Sequence, residues 1–526
     1  MSKITKYLNQ LITGNAFDSS EILEAYSTDQ SALKINPRLV VLPESTADIQ
    51  KLMQFFNQLS EKNVRIPVAV RGSGLDEMGA DLSTGAVISM EKLNRLEEID
   101  KRERLVRVQA GITLKELNTA LLVSGMTIPI KASQNETIGS LIANCPIDDY
   151  SAKYGGIKKY VERIEVVLAN GERIQTGRAG TRLLKKAGDT LESRIYKDLN
   201  ELVAENPNIL QQISEKLSNQ AGYPNIVYAI KKGTIDLMPL FFGSEGTLGI
   251  ISEVILHAEL LPPKPVRLVA TFSNLKATLN FLSGVTPLDP LELNIFDLRI
   301  LKIAEERGKS LSKITHKLQS GYVVYASFND GGIKINKKIR RALKHIPSTA
   351  YSLIEDEKTA GIIDEFENSI DNYLNASNNG ERVPLLSNFL IPSGNLVPFL
   401  KDLETLEQKI RLDLPLFGSF ITGNYSIRPS LRISEPNLEQ RVAILLKTGD
   451  ILINTHGGAI AGGYPEGRVK AIITNETMDK DEKAFYKRIK EIFDPNNILT
   501  PDAKLGTDKN FTLKHLRTTK TPKIML

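Results

Sequence analysis

The run Phe242-Gly243-Ser244-Glu245-Gly246-Thr247-Leu248-Gly249-Ile250-Ile251 limits the fold more than any other stretch of the chain. Its glycines recur every third residue with small polar residues between them, a pattern that suits neither a helix interior nor a strand interior. Glycine at such positions serves a backbone that must adopt positive φ or approach something closely. The segment Ile250–Leu256 follows at once and predicts a strand. A glycine turn feeding a buried strand presents bare N–H groups to an anion. A tight turn with no ligand makes the same local demand, so this run alone leaves both readings open.

At 526 residues the chain is too long for one ordinary core and predicts two or more domains. An apolar fraction of 41% and a net charge of +5 are ordinary for a globular protein and give no footprint for nucleic acid. Cys145 is the single cysteine, which excludes internal disulfides, cysteine zinc sites and iron–sulfur clusters. His257, His316, His345, His456 and His515 are scattered, with no His-x-x-x-His spacing. The N-terminus lacks a signal-peptide core and no segment is apolar enough to span a bilayer, so the expected location is cytoplasmic. The basic tail after Lys509 reads as a mobile terminus. Its alternative use is peripheral contact with the inner membrane face or a partner subunit.

Taken in order, Ser2 to Asn15 predicts an amphipathic helix and Leu39 to Leu42 a strand. Ile49, Leu52, Met53, Phe56 and Leu59 recur at helical spacing behind a Ser45 or Thr46 cap. Val64 to Val70 reads as a buried strand running into a second glycine-rich loop, Arg71 to Ala80. That loop suits a cradle for phosphate oxygens, or a long connection. It is not GxGxxG before a helix, so a Rossmann site is not expected, and Gly308-Lys309-Ser310 is not a P-loop. Thr113 caps a helix with Leu114, Leu117, Leu121 and Leu122 on one face. Arg178 to Pro239 is charged, largely helical and insertion-like. Beyond the Pro-rich Leu261–Pro265 linker, strands at 266–272, 291–296, 322–328, 385–391 and 416–421 alternate with helices at 274–282, 298–307, 333–345, 356–373 and 396–411.

The pieces Arg71-Gly72-Ser73-Gly74, Gly111, Thr137-Ile138-Gly139, Lys153-Tyr154-Gly155, Gly243 to Ile251 and Asp494 to Pro501 stand in the order found in flavoproteins of the vanillyl-alcohol-oxidase type. The chain most resembles the branch containing D-lactate dehydrogenase and the glycolate oxidase catalytic subunit, from about Tyr26 to Lys504. The resemblance implies an α+β protein: a two-lobed PCMH-type FAD-binding domain and an α+β substrate domain with one sheet backed by helices. The expected divisions are 1–262 (insertion about 178–239), 263–450, 451–508 completing the FAD domain, and the tail 509–526. It also implies FAD bound by Arg71, Gly72, Ser73, Gly74, Leu75 and Asp76 at the pyrophosphate. Thr137, Ile138, Gly139 and Ser140 would line the flavin, with Glu245, Gly246, Gly249, Ile250 and Ile251 along the ADP and ring portions. Leu75 stands where a histidine would attach flavin covalently, so the expectation is non-covalent FAD.

The chain departs from the branch where its metal should be. Ser419, Ser426 and Thr422 replace two histidines and an aspartate of a GHxGDGNxH motif, and Gly463-Tyr464 replaces a Glu-His pair. Neutral hydroxyls are poor ligands for a zinc-like ion, so no metal is expected. Candidate chemistry falls to Tyr464 as acid or base with its pKa lowered by Arg428 or Arg468, to His456 as base, and to Arg428 as a carboxylate clamp. The leading expectation is an FAD-dependent dehydrogenase acting on a small hydroxylated substrate such as a 2-hydroxy acid. Its electrons would pass to a quinone, a carrier protein or oxygen. The alternatives are a degenerate flavin-binding subunit without oxidation chemistry, and a metal-free sugar or alditol oxidase.

Overall fold

The computed structural model describes residues 2–180, 188–216, 219–231, 233–305, 320–346, 351–354, 384–431, 435–506 and 508–517, with Thr359, Gly361 and Phe366. The expected helix 356–373 and the 308–310 stretch lie outside the described residues, apart from those three. Among the described residues no helix is long and apolar enough to cross a membrane.

Two sheets build the first part. A four-stranded sheet runs in the order Asn15–Phe17, Leu39–Leu42, Ala86–Ser89, Val68–Arg71, with its last three strands parallel. An antiparallel five-stranded sheet runs Leu96–Asp100, Leu105–Gln109, Ile250–His257, Val161–Val167, Arg173–Gln175. The strand after the 242–251 run is therefore the centre of its sheet. Helix Thr46–Glu61 buries Ile49, Leu52, Met53 and Phe56 as its spacing predicts, and the Ser45 hydroxyl caps it by accepting from the Asp48 N–H at 3.2 Å. The insertion adds a three-stranded sheet of 178–180, 230–231 and 234–236 beside helices Leu191–Glu205 and Pro207–Glu215.

The second part is one seven-stranded antiparallel sheet, ordered Tyr351–Ile354, Val266–Phe272, Tyr322–Phe328, Glu292–Asp297, Leu416–Ser419, Asn424–Ile427, Leu386–Leu390. Helices Leu275–Val285, Ile333–Leu343, Leu396–Ile410 and Leu438–Thr455 contribute Phe281, Ile339, Phe399 and Leu446 to the core on one face.

Several expected boundaries shift for identifiable reasons. The strand expected from Val64 begins only at Val68, because Pro67 has no N–H to give a ladder and Val64 is 51% exposed. The N-terminal helix stops at Leu11, and the chain continues into the edge strand Asn15–Phe17. Leu122, expected on the buried face of its helix, is 56% exposed. Strands Tyr351–Ile354 and Asn424–Ile427 were not expected.

The segment expected as 451–508 divides between two cores. Ile453, Ile460, Tyr464, Val469, Ile472 and Ile473 pack with the second sheet, while Phe485, Tyr486, Ile489, Phe493, Ile498 and Leu499 pack with the first. The tail is also tied down where it was expected to be mobile. Helix Lys509–Lys514 leads to Arg517, whose N–H donates to Ala32 O at 2.9 Å, and Lys34 N–H donates to His515 O at 2.8 Å. Residues 518–526 lie outside the described residues.

The Asp494–Pro501 motif is a clasp. The Asp494 carboxylate, 1% exposed, accepts from the N–H groups of Ile498 (3.1 Å) and Leu499 (2.7 Å). It also pairs with Lys490 Nζ at 2.5 Å. Lys490 donates on to Thr247 O and Leu499 O, both at 2.7 Å. The clasp lets the chain run beside strand Val68–Arg71, with Val68 N–H to Ile498 O at 2.8 Å and Thr500 N–H to Val68 O at 2.6 Å. Asp494→Ala strips a buried ammonium of its carboxylate and is expected to cost about 3–5 kcal/mol. Thermal denaturation reads this as a lower midpoint; an unchanged midpoint would refute the clasp.

Candidate active site

Three glycine-bearing turns meet in one cleft. Strand Val68–Arg71 delivers the first turn, and Gly72, Gly74, Leu75 and Asp76 line the cleft. The Thr137 cap of helix Ile138–Asn144 delivers the second, with Thr137, Gly139 and Ser140 on the wall. The 242–251 run delivers the third: Glu245, Gly246, Gly249, Ile250 and Ile251. Backbone bonds lock the turns together, as Gly243 N–H donates to Ile142 O (3.2 Å), Glu245 N–H to Ala143 O (2.9 Å) and Gly139 N–H to Ala110 O (2.8 Å).

Three residues expected at the cofactor stand outside the lining. Arg71 is engaged beside the loop, donating to Thr28 O at 2.9 Å and facing Asp81 at 3.8 Å. Ser73 is exposed, and Ile138 is buried in the first core. The close approach that the glycines imply is real at Gly72, where a Cβ would stand 2.2 Å from Ser140 Oγ and 2.4 Å from Thr137 Oγ1. Among the described residues, the N–H groups of Gly72, Ser73, Gly74 and Leu75 donate to no protein acceptor. They form a ready set of anion donors.

The cleft wall is also acidic. Asp76 Oδ1 accepts from the Tyr464 hydroxyl at 2.8 Å and Oδ2 from Ala80 N–H at 2.5 Å. Burial, then the neighbouring Asp81 charge, pushes Asp76 up to about 6. Glu245 pairs with Lys504 at 2.9 Å, yet burial still raises it to about 7. Glu136 is pushed to about 8 by burial and the charges of Asp76, Glu77 and Asp148. Asp29, Asp76 and Asp81 bring carboxylate oxygens within 4.8 Å of one another, and burial with this mutual repulsion raises Asp29 well above its ordinary range.

The candidates for chemistry are distributed differently from expectation. Tyr464 does reach the cleft rim, but burial and then the Asp76 carboxylate raise its pKa, opposite to the lowering expected. Neither arginine lowers it. Arg468 donates to the carbonyls of Gly79, Ala80 and Pro501, and Arg428 donates to Ser387 Oγ with its other terminal nitrogen 3.5 Å from Glu77. Arg428 is therefore a tie to the first glycine loop, not an open clamp. His456 stands apart, at the end of helix Leu438–Thr455, with Nε2 3.0 Å from Asp402 and its ring edge-on to Phe399. Ser426 Oγ accepts from Asn388 N–H at 2.9 Å, and the buried Ser419 Oγ has no hydrogen-bond partner.

Residue-level reading missed Glu136, Glu77, Lys470 and Lys504. Glu136 carried one positional signal, directly preceding Thr137-Ile138-Gly139. Lys470 is fully buried near the carbonyls of Asn388 and Tyr464 (3.4 Å each) and is pushed down to about 7 by burial.

A fold of this kind, with a glycine-walled cleft facing a second sheet, is a flavoprotein arrangement. Residues 37–177 match the FAD binding domain family, and 263–503 match the C-terminal domain of FAD linked oxidases. The chain belongs to the family of FAD-linked oxidoreductases built from these two domains. It is 24% identical over 523 residues to D-2-hydroxyglutarate dehydrogenase from Pantoea ananatis, covering 94% of this chain but 50% of that protein. It spans only about half the length of that relative. It is 25% identical over 496 residues to D-lactate dehydrogenase from Archaeoglobus fulgidus, covering 91% of this chain and 95% of that protein. In fold it resembles 4-ethylphenol oxidase from Gulosibacter chungangensis, with TM-score 0.65, 14% identity, and coverage of 96% and 98%.

FAD is the cofactor of this family, and the cleft fits it. The free N–H groups of residues 72–75 suit a pyrophosphate, and the lack of a side chain at Gly72 lets the first turn pack directly on Thr137 and Ser140 of the second. Bound FAD supplies a two-electron acceptor.

Gly72→Val drives a side chain into Thr137 and Ser140, forces the first two turns apart and is expected to weaken FAD binding at least about tenfold, roughly 1.4 kcal/mol. Flavin fluorescence titration of apoprotein reads this; wild-type affinity would remove the 72–75 turn from the site. The raised carboxyls also set a pH dependence. Asp76, Glu136 and Glu245 hold protons in the folded state that the unfolded chain releases near about pH 4. Their contribution is full below that pH and is lost as pH rises through 6 to 8. Lys470 acts in the opposite sense only above about 7. FAD-free protein is expected to melt lower at about pH 7 than at about pH 5; the reverse order would contradict these assignments.

Proposed function

We propose that this chain is an FAD-dependent dehydrogenase that oxidises the CH–OH group of a small hydroxylated substrate such as a 2-hydroxy acid. It does so with non-covalent FAD, without a metal at the Ser419, Ser426 and Tyr464 positions, and hands electrons to an external acceptor. The cleft itself is the observation that carries the reading, with free N–H groups at 72–75 for the dinucleotide. Its rim is closed by Tyr464 from the second part of the chain. Two hydroxy-acid dehydrogenases among the relatives favour this substrate class. Leu75 on the cleft wall offers no nucleophile for covalent flavin. A quinone, a carrier protein or oxygen can each serve as acceptor in this scheme.

A second reading, a flavin-holding subunit without its own oxidation chemistry, draws on one observation. Tyr464 and Arg428 are both occupied by acidic groups of the first glycine loop. Anaerobic mixing of the holoprotein with D-lactate, glycolate and D-2-hydroxyglutarate, before and after chelator treatment, separates the two. The proposed function expects at least one to bleach the oxidised flavin band, equally with and without chelator. Full absorbance against all three favours the subunit reading, and chelator-sensitive bleaching refutes the metal-free mechanism.

A further inference from the structure

Every carboxyl on the cleft wall has a partner in the fold except one. Asp76 is held by Tyr464 and Ala80, Asp81 faces Arg71, and Glu245 is paired with Lys504. Glu136 lines the same cleft, and among the described residues its carboxyl meets no hydrogen-bond donor and no cation. Glu136 is half-buried and its carboxyl oxygens stay accessible, so they are open to whatever occupies the cleft.

Its surroundings place it at the end of the cleft where the second sheet closes over. Asp76 and Glu77 face it from the first glycine loop and Asp148 from beyond helix Ile138–Asn144; all three raise its pKa with burial, to about 8. Tyr464 faces it from the second part, and the Glu136 charge in turn raises that phenol. The nearby cations are engaged elsewhere: Arg428 with Glu77, Lys131 with Glu292 at 3.5 Å, and Lys470 beside carbonyls. Asp148 is held by Ser151 Oγ and by the N–H groups of Lys131 and Tyr150. The rim is knitted to the second sheet by Asn424 Nδ2 to Ile147 O at 2.7 Å and Ile147 N–H to Gly463 O at 2.8 Å.

We propose that Glu136 is the catalytic base of the cleft, taking the hydroxyl proton of a 2-hydroxy acid while the carbon-bound hydrogen leaves as hydride. This rests on the proposed function above. The substrate O–H bond breaks and its proton passes to a Glu136 carboxylate oxygen. The C–H bond breaks with its electron pair, which goes to oxidised FAD, and a C=O bond forms. The products are a 2-keto acid and reduced flavin, and Glu136 returns its proton to water. A carboxylate made more basic by its site suits an alcohol proton better than an ordinary one, and it does the work without a metal to acidify the hydroxyl.

The test uses FAD-loaded wild type, Glu136→Gln and Glu136→Asp. One arm measures the flavin midpoint potential against pH by anaerobic spectroelectrochemistry. The other measures the rate of reduction by D-lactate, glycolate and D-2-hydroxyglutarate across the same pH range. A base beside the flavin rises in pKa when the ring gains negative charge, so the wild-type potential line changes slope near pH 8. E136Q is expected to keep its FAD and lose that change of slope. The wild-type reduction rate should climb to a plateau above that pH, fall by about 10²- to 10⁴-fold in E136Q, and be intermediate in E136D. A slope change that persists in E136Q, a wild-type rate in E136Q, or loss of FAD from E136Q each overturns the proposal. If no hydroxy acid reduces the wild type yet E136Q abolishes the slope change, the hydroxy-acid reading falls while the proton-accepting role of Glu136 stands.

Discussion

One buried cation holds the ligand side of this molecule together. The Lys504 ammonium, 2% exposed, lies 2.9 Å from Glu245 and 3.9 Å from Glu466, and 5.9 Å over the Tyr223 ring. An ammonium at that depth is tolerable only when paired. The pairing joins the glycine run, the start of helix Gly467–Thr477 and the segment after Pro501. Glu466 is further held by Thr474 Oγ1 at 2.8 Å and Gly222 N–H at 3.3 Å, so the end of the insertion is fixed by the same centre. Glu245 adopts φ +53°, a left-handed conformation that costs a non-glycine residue on the order of 1–3 kcal/mol. The ion pair and the Glu245–Ala143 backbone bond hold it there, and with it the turn that the central strand needs.

That arrangement creates an electrostatic problem. A dinucleotide pyrophosphate is anionic, yet Asp76, Asp81, Glu136 and Glu245 all line the cleft. The basic residues nearest the loops are already engaged, Arg71 with Thr28 and Asp81, Lys504 with Glu245. Backbone donors at 72–75 therefore carry the attraction, and burial shifts three of the carboxyls toward their neutral forms, which can donate hydrogen bonds instead of repelling. Low dielectric that penalises a carboxylate also strengthens each N–H to phosphate oxygen contact.

Glycine and short-range pattern explain what the sequence revealed. The 242–251 and 71–80 runs and the Thr137 cap are local devices, and the structure brings all three to one cleft. Helix Thr46–Glu61 and the central strand Ile250–His257 follow from periodicity. What stayed hidden depends on distant pairing. Strand Asn424–Ile427 is short and polar in outline, and it exists because strands Leu416–Ser419 and Leu386–Leu390 flank it. Arg428 was recognisable as a candidate clamp for a carboxylate, but its partner Glu77 is 351 residues away. Tyr464 likewise meets Asp76 across 388 residues, and that contact reverses the sign of its expected pKa shift.

Those two long-range ties engage Tyr464, which stands at a position of the family's metal motif, and Arg428, two residues beyond Ser426. Tyr464 is spent on Asp76 and Arg428 on Glu77, so consecutive residues of one cofactor loop are pinned to separate elements of the second sheet region. Each tie joins the first glycine loop to a residue of the second part of the chain. In the metal-free reading proposed above, no ion acidifies the substrate hydroxyl. The proton of an alcohol oxidation must then go to a group that the ties leave unengaged. On the cleft wall, among the described residues, Glu136 is that group. Burial, and after it the acidity of surroundings that look adverse for holding an anionic cofactor, makes this carboxylate basic enough to serve.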